Sequence, residues 1–532
     1  MVLGMTPPRS ARSALLLLAW LGAGPAFAAD NLVVQRPRLV VLVVVDQLRA
    51  DYLSRFADDL LPAVDAKGRP GGFRHVIDAG AYWPRATHDV FQAMTGPGHA
   101  SIATGAWPAR SGIVLNRWWD GHGFTYCVGD DSVRNLPDDG LGKGRPIGLA
   151  NLLAPTLGDA LRSSTLGGTV AAVALKDRVA ALLGGFGADT AIWFDSEAFR
   201  WTTSTFWVDA LPPWVAALNT DPRIGQDLFA TAAGVDLTVD AALAAVDAHG
   251  MGSDERPDLL AVGLSSLDFL GHEVGPDAPG VRAMVVSMDR ALARLHGGLS
   301  ERLGGLDGVV FAITADHGIP PLPEEAAGRG LPAGRIVESE LDRGLEAHLL
   351  AALGPSPSGA WIGGIYRSNI WFDPAAVADP AVRLGAEEAA RAWLLGQEGV
   401  AEVVTASDVV AHRLPLGPAG RSIANQYLVG VSGDVVAGMK PFWFSTDYPT
   451  GVSHMTRYTY DTTVPLAISG SGVRAGRYAT PATVIDLAPT LAWLLDILPP
   501  AAAEGRVLAE AMAPTELAAE PPASKRSRKG TP

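Results

Sequence analysis

The run over residues 38–45, valine-rich after Arg38 and closed by Asp46, constrains this chain more than any other segment. A strand with one wet face alternates apolar and polar residues. An unbroken apolar run of this length reads instead as a strand buried on both faces, the kind found in helix-covered parallel sheets. Comparable runs recur at 170–175, 190–194, 259–264, 309–314 and 464–469. Helix-period stretches lie between them, such as 281–299 with Met284, Met288, Leu292 and Leu295 on one face. We therefore expect an α/β protein with a mostly parallel central sheet covered by helices on both faces. Ligands of such sheets bind beyond the carboxyl ends of the strands, so the polar residues after each run are where chemistry is to be sought.

At 532 residues the chain exceeds one ordinary core. Residues 1–28 read as a secretory signal peptide: Arg9 and Arg12, an apolar run over 14–21, then Ala26-Phe27-Ala28. The run is too short to span a bilayer, and later apolar runs are broken by charge or glycine, so no membrane span is expected and the mature protein is expected to be periplasmic or secreted. Residues 29–319 form the first part of the core. Over 320–440 the texture turns to proline- and glycine-broken segments, read as an inserted capping subdomain with helical patterns at 339–353 and 385–395. The core resumes over 441–512, including an amphipathic helix at 483–495. Residues 513–532, rich in Pro, Ala and Glu and ending in basic residues, read as a disordered tail.

The formal charge of −14 argues against nucleic acid as a partner, because a polyanion is repelled unless a local cationic site outweighs the field. A small anion is easier to accommodate. The single cysteine, Cys127, rules out an intrachain disulfide.

Several polar residues stand at the expected strand ends. Asp46 follows the first run. Asp268 and His272 form Asp-x-x-x-His after 259–264, a spacing that puts both on one helical face within reach of one cation. Asp316-His317-Gly318 follows 309–314, and His454 lies just before 464–469. Singly, each has an ordinary structural explanation. Together, three carboxylates and three imidazoles converging on one sheet edge suit zinc. Thr95, in Met94-Thr95-Gly96-Pro97-Gly98-His99, reads as a hydroxyl at the mouth of a short helix, with Pro97 at the first helical position, Gly105 capping the far end, and the free N–H groups of the helix start attracting an anion.

With those segments in hand, the chain resembles the alkaline phosphatase superfamily, specifically the single-chain bacterial phosphatases of the PafA type, which are related to nucleotide pyrophosphatase/phosphodiesterases. The matching pieces include Val-Val-Asp46-Gln47, Thr95-Gly-Pro-Gly-His-Ala-Ser, Asn116-Arg-Trp-Trp-Asp120, Lys176-Asp-Arg178, Asp268-x-x-x-His272, Asp316-His317-Gly318 and Gly451-Val-Ser-His454. They occur in the family's order and span most of the chain.

The resemblance implies two Zn2+ ions, one held by Asp268, His272 and His454 and the other by Asp46, Asp316 and His317, with Thr95 touching the latter. It makes Thr95 the nucleophile of a covalent phosphothreonine intermediate, and Asn116, Lys176 and Arg178 the groups that bind the phosphoryl oxygens. Lys176 and Arg178, two residues apart beyond a strand, project to the same side if the chain stays extended. Two cations favour a dianionic monoester, and the family's diesterases lack the Lys-x-Arg pair, so small phosphate monoesters are the expected substrates. The sulfatase branch is disfavoured, since its Cys/Ser-x-Pro-x-Arg motif is absent. Phe91-Gln92-Ala93-Met94 departs from the residues often found before the nucleophile, which bears on leaving-group preference. The alternatives are a phosphodiesterase or nucleotide pyrophosphatase on the same scaffold and, more remotely, a non-catalytic metal- or phosphate-binding protein. A monomer is expected.

Overall fold

The structure is a computed structural model that describes residues 36–141, 144–224 and 228–513. The signal peptide expected over 1–28, and the tail beyond Ala513, lie outside the described residues.

A ten-stranded sheet forms the centre. Its strands stand in the order Gly476–Arg477, Ala81–Thr87, Thr463–Ser469, Val309–Thr314, Leu39–Val45, Asp258–Leu264, Val170–Ala174, Thr190–Asp195, Arg200–Ser204, Asn135–Leu136. The five strands from Val309–Thr314 to Thr190–Asp195 run parallel. Thr463–Ser469 is antiparallel to its neighbours on both sides, which returns Ala81–Thr87 to the direction of the central five. Every residue of Leu39–Val45, Asp258–Leu264 and Val309–Thr314 is buried. Since successive side chains point to opposite faces, full burial means that both faces are covered, which is why these runs are apolar without alternation. The six expected strands are all present, each within a residue or so of its expected ends. The helix expected at 281–299 is longer, Pro279–Leu303. That expected at 483–495 begins as a 3-10 turn, Val484–Asp486, held by a Thr483/Asp486 capping box, before Leu487–Leu495 continues it.

Two smaller sheets involve the residues between 334 and 445. Gly334–Ile336 pairs with Trp443–Ser445. Ile362–Tyr366, Asn369–Phe372, Val435–Met439 and Val400–Thr405 form an antiparallel sheet in that order. Its core is separate from that of the main sheet and includes Leu341, Leu345 and Leu349 of the helix Glu338–Leu353, Ala386, Ala390 and Leu394 of the helix Pro380–Leu395, and Ile370 and Val435 of the sheet.

The topology gathers the polar residues on one edge. Asp46, Lys176, Asp268 and Asp316 all follow the carboxyl ends of parallel strands. His454 precedes Thr463–Ser469, which starts at that edge because it runs the other way. Thr95 follows Ala81–Thr87, which ends there.

Candidate active site

Thr95 is the first residue of the helix Thr95–Thr104 rather than its cap. Met94, extended at φ −146° and ψ 158°, occupies the cap position without a side-chain bond, and Gly105 ends the helix at φ 69°. Pro97 therefore sits third in the helix, where a missing N–H is still harmless because the first four have no intrahelical acceptor. The Thr95 hydroxyl is free to face outward. Its Oγ1 lies 3.4 Å from His317 Nε2 and 3.5 Å from Arg178 Nη2. Close packing brings this helix to the metal-ligand candidates: a Cβ on Gly98 would fall 2.6 Å from the Asp316 carbonyl oxygen.

Asp46, Asp316 and His317 bring one ligand atom each to within 4.8 Å of one another, and Asp268, His317 and His454 do the same. His317 thus stands between two clusters. His272 lies beside the second: its Nε2 is 3.2 Å from Asp268 Oδ1, and its ring is 5.1 Å from that of His454. The tautomers follow from the backbone. Nδ1 of His272, His317 and His454 sits 2.7, 2.9 and 2.7 Å from the carbonyl oxygens of Val452, Gly318 and Ala93. Each Nδ1 must therefore carry a proton, which leaves Nε2 as the atom that a metal would take. Burial holds His317 and His454 below the ordinary imidazole range, His454 far below it with help from His317 and His272, which disfavours the charged ring in both. Asp46 Oδ1 and Asp316 Oδ2 are buried without a hydrogen bond. Burial raises the Asp46 carboxyl well above the carboxylate range, and the Asp268 and Asp316 charges push it the same way. Crowded acids, imidazoles held through Nδ1 and unsatisfied oxygens fit divalent cations.

Lys176 and Arg178 do not project together. Lys176 is still extended, at φ −85° and ψ 133°, but the helix Asp177–Gly184 begins at the next residue. The extended-chain expectation therefore fails, and the two side chains part. Lys176 Nζ bonds both Asp46 and Asp268, while Arg178 turns to Thr95 and to the Tyr126 hydroxyl at 3.2 Å. That hydroxyl in turn donates to Asp177 at 2.6 Å. Asn116 Oδ1 accepts the Gly96 N–H at 2.7 Å. A cavity of about 390 Å³ opens over this group, lined by Thr95, Asn116, Arg178, His272 and His454 among others.

Sequence reasoning assigned no role to Gln47 and His99. Gln47 donates its backbone N–H to Asp316 at 3.0 Å and its side-chain amide to Asp268 at 2.6 Å, at a strained φ of 69°. His99 Nδ1 lies 2.9 Å from the Thr95 carbonyl and 3.3 Å from Asp316 Oδ2. Adjacency to Asp46, and an i+4 spacing from Thr95, were the signals available for them.

Over residues 40–460 the sequence matches the type I phosphodiesterase / nucleotide pyrophosphatase family. It is 28% identical to alkaline phosphatase PafA of Elizabethkingia meningoseptica, across 95% of this chain and 99% of the relative. It is also 28% identical to alkaline phosphatase PhoV of Synechococcus elongatus, across 90% and 93%. The PafA crystal structure aligns with a TM-score of 0.82 at 26% identity, covering 90% of this chain and 99% of PafA. A PafA variant substituted at a threonine, an asparagine, a lysine and an arginine aligns with a TM-score of 0.81 at 25% identity.

Proposed function

The chain belongs to the type I phosphodiesterase / nucleotide pyrophosphatase family, and on that premise we propose that it is an exported, metal-dependent alkaline phosphatase that hydrolyses small phosphate monoesters with Thr95 as nucleophile. It is a phosphoric monoester hydrolase by its similarity to several alkaline phosphatases. The observation that carries the reading is the position of the Thr95 hydroxyl, 3.4 Å from the histidine common to both metal-ligand clusters and 3.5 Å from the half-buried Arg178 guanidinium. The residue types changed in the PafA variant are those of Thr95, Asn116, Lys176 and Arg178. The pattern of residues 1–28 supports export.

Asp46, Asp268, Asp316, His272, His317 and His454 would hold two divalent cations, zinc by the chemistry of a mixed Asp/His set. Bound there, the cations supply Lewis acidity that lowers the pKa of the Thr95 hydroxyl and stabilises charge on the departing oxygen. Thr95 Oγ1, its proton passed to solvent, forms the bond to phosphorus as the ester P–O bond breaks, and the departing alkoxide takes a proton from water to leave as the alcohol. Water then attacks the phosphothreonine, releasing inorganic phosphate and restoring the hydroxyl. Asn116 spends its side-chain oxygen on Gly96, so its NH2 is left to donate to a phosphoryl oxygen. Arg178 supplies a forked donor pair to the same group, whereas Lys176 is taken up by Asp46 and Asp268 and holds those two carboxylates in place. A guanidinium beside the nucleophile favours the dianion of a monoester over the single charge of a diester.

The family name carries the second reading, a phosphodiesterase on the same scaffold. Zinc-supplemented protein assayed on p-nitrophenyl phosphate and bis-p-nitrophenyl phosphate separates the two. The monoester should be cleaved faster, and the reverse ranking would sink our proposal.

A further inference from the structure

We propose that the mouth of the Thr95 cavity is a second anion subsite, built on Arg117 and Arg367, that selects monoesters whose leaving group carries a further negative charge. The inference rests on the phosphomonoesterase reading and adds the substrate class.

Arg117 follows Asn116, whose side chain is tied to Gly96. Its guanidinium lies 4.9 Å from the ring centroid of Phe124 and 4.5 Å from that of Tyr366. Two rings so close fix the side chain. Stacking occupies the faces of a guanidinium and leaves its N–H edge open. Among the described residues nothing hydrogen-bonds that edge, and no carboxylate pairs with it. This exposed arginine is stacked on two rings yet, among the described residues, has no polar partner.

Arg367 reaches the same cavity from the smaller sheet. It occupies the two-residue turn between Ile362–Tyr366 and Asn369–Phe372, with φ 53°, followed by Ser368 at φ 64°. Asn-Gly adopts such a turn with little strain, and Arg-Ser does not. Arg367 Nη1 donates to the Ser445 carbonyl at 3.0 Å and stands 3.9 Å from Glu338, so it is anchored while still lining the cavity.

Charge completes the case. Arg117, Arg178 and Arg367 line the cavity and, among the described residues, no acidic residue does, although the chain as a whole carries −14. Asp46 and Asp268 lie beneath, bonded to Lys176. Arg178 is the guanidinium beside Thr95, which leaves Arg117 and Arg367 for whatever the phosphoryl group is attached to. The open edge of Arg117 suits a carboxylate or a second phosphate on the alcohol.

The test compares kcat/KM for 2-phosphoglycerate and glycerol 2-phosphate, which differ by a carboxylate in place of a hydroxymethyl group. In Arg117→Gln the ratio of the two should fall about tenfold, as for loss of one charge-assisted hydrogen bond, with most of the change in KM. Arg117→Lys should lose less, and Arg367→Gln should lower the ratio about threefold, as for a partly screened charge. In the unaltered protein the ratio should also shrink as sodium chloride is raised, a measurement that does not depend on any variant folding. A ratio indifferent to both glutamine substitutions or to salt would overturn the subsite. Failure to hydrolyse glycerol 2-phosphate at all would instead overturn the phosphomonoesterase reading on which it rests.

Discussion

Asn116 Oδ1 takes the backbone N–H of Gly96 at 2.7 Å, so a residue far along the loop is fixed by the first turn of the helix that carries Thr95. The bond sets which end of the amide faces the cavity. Asn116→Asp keeps an oxygen for Gly96 but removes the outward donor and adds a charge that repels the phosphoryl group. We expect kcat/KM on a simple monoester to fall on the order of 100- to 1,000-fold, the usual loss for one oxyanion donor. The thermal unfolding midpoint should change little, and a large drop in it would mean that the activity loss is structural.

Gln47 is predicted to act on metal affinity more than on chemistry. It bonds Asp268 through its side chain and Asp316 through its backbone. Gln47→Ala removes only the first bond, and metal affinity should fall about 10- to 100-fold, as for other residues that orient ligands. Competition against a chelator, followed by metal analysis, measures this. Saturating zinc should then restore much of the turnover, whereas an affinity equal to that of the unaltered protein would remove Gln47 from this role.

How much of this was legible in the sequence depends on periodicity. Strands buried on both faces wrote themselves as unbroken apolar runs, and the residues ending those runs did meet on one edge. The direction of Thr463–Ser469 was not legible, because an antiparallel strand buried on both faces has the same composition as a parallel one. Nor was the parting of Lys176 and Arg178, which turns on a helix starting at Asp177 where an extended chain was assumed. The roles of Gln47, Arg117 and Arg367 rest on tertiary neighbours, Asp268 for Gln47, Tyr366 for Arg117 and Ser445 for Arg367, which sequence periodicity does not bring together.

His296 should make stability depend on acid. Burial drives its pKa down to about 3, and the nearby His75 acts the same way, against a bond of Nδ1 to the Gly71 carbonyl at 2.8 Å. The folded protein therefore holds it neutral throughout the range in which an unfolded chain, with an ordinary value of about 6.5, takes up a proton. Protonation favours the unfolded state, so stability is lost as pH falls from about 6.5 towards 3. Between pH 7 and pH 5 the cost from this one group is about 2 kcal/mol. Urea unfolding at both pH values should show His296→Gln losing less stability over that interval than the unaltered protein, and equal losses would refute the assignment.

Gly98 tests whether the approach of the Thr95 helix to Asp316 matters for function. A Cβ there would stand 2.6 Å from the Asp316 carbonyl oxygen, 2.8 Å from its Cβ and 3.0 Å from its Cα. None of these belongs to a flexible side-chain end, so Gly98→Ala must shift either the helix or the loop after Val309–Thr314. Overpacking of this kind costs about 1–3 kcal/mol. The protein should still fold, because the helix gains propensity from alanine and the rest of the core is untouched. The displacement, however, falls between the nucleophile and Asp316-His317. Gly98→Ala should therefore lose activity on monoesters by more than its stability loss accounts for, and should bind metal more weakly in the same chelator competition. Retention of full metal affinity and turnover would show that the close contact serves packing alone.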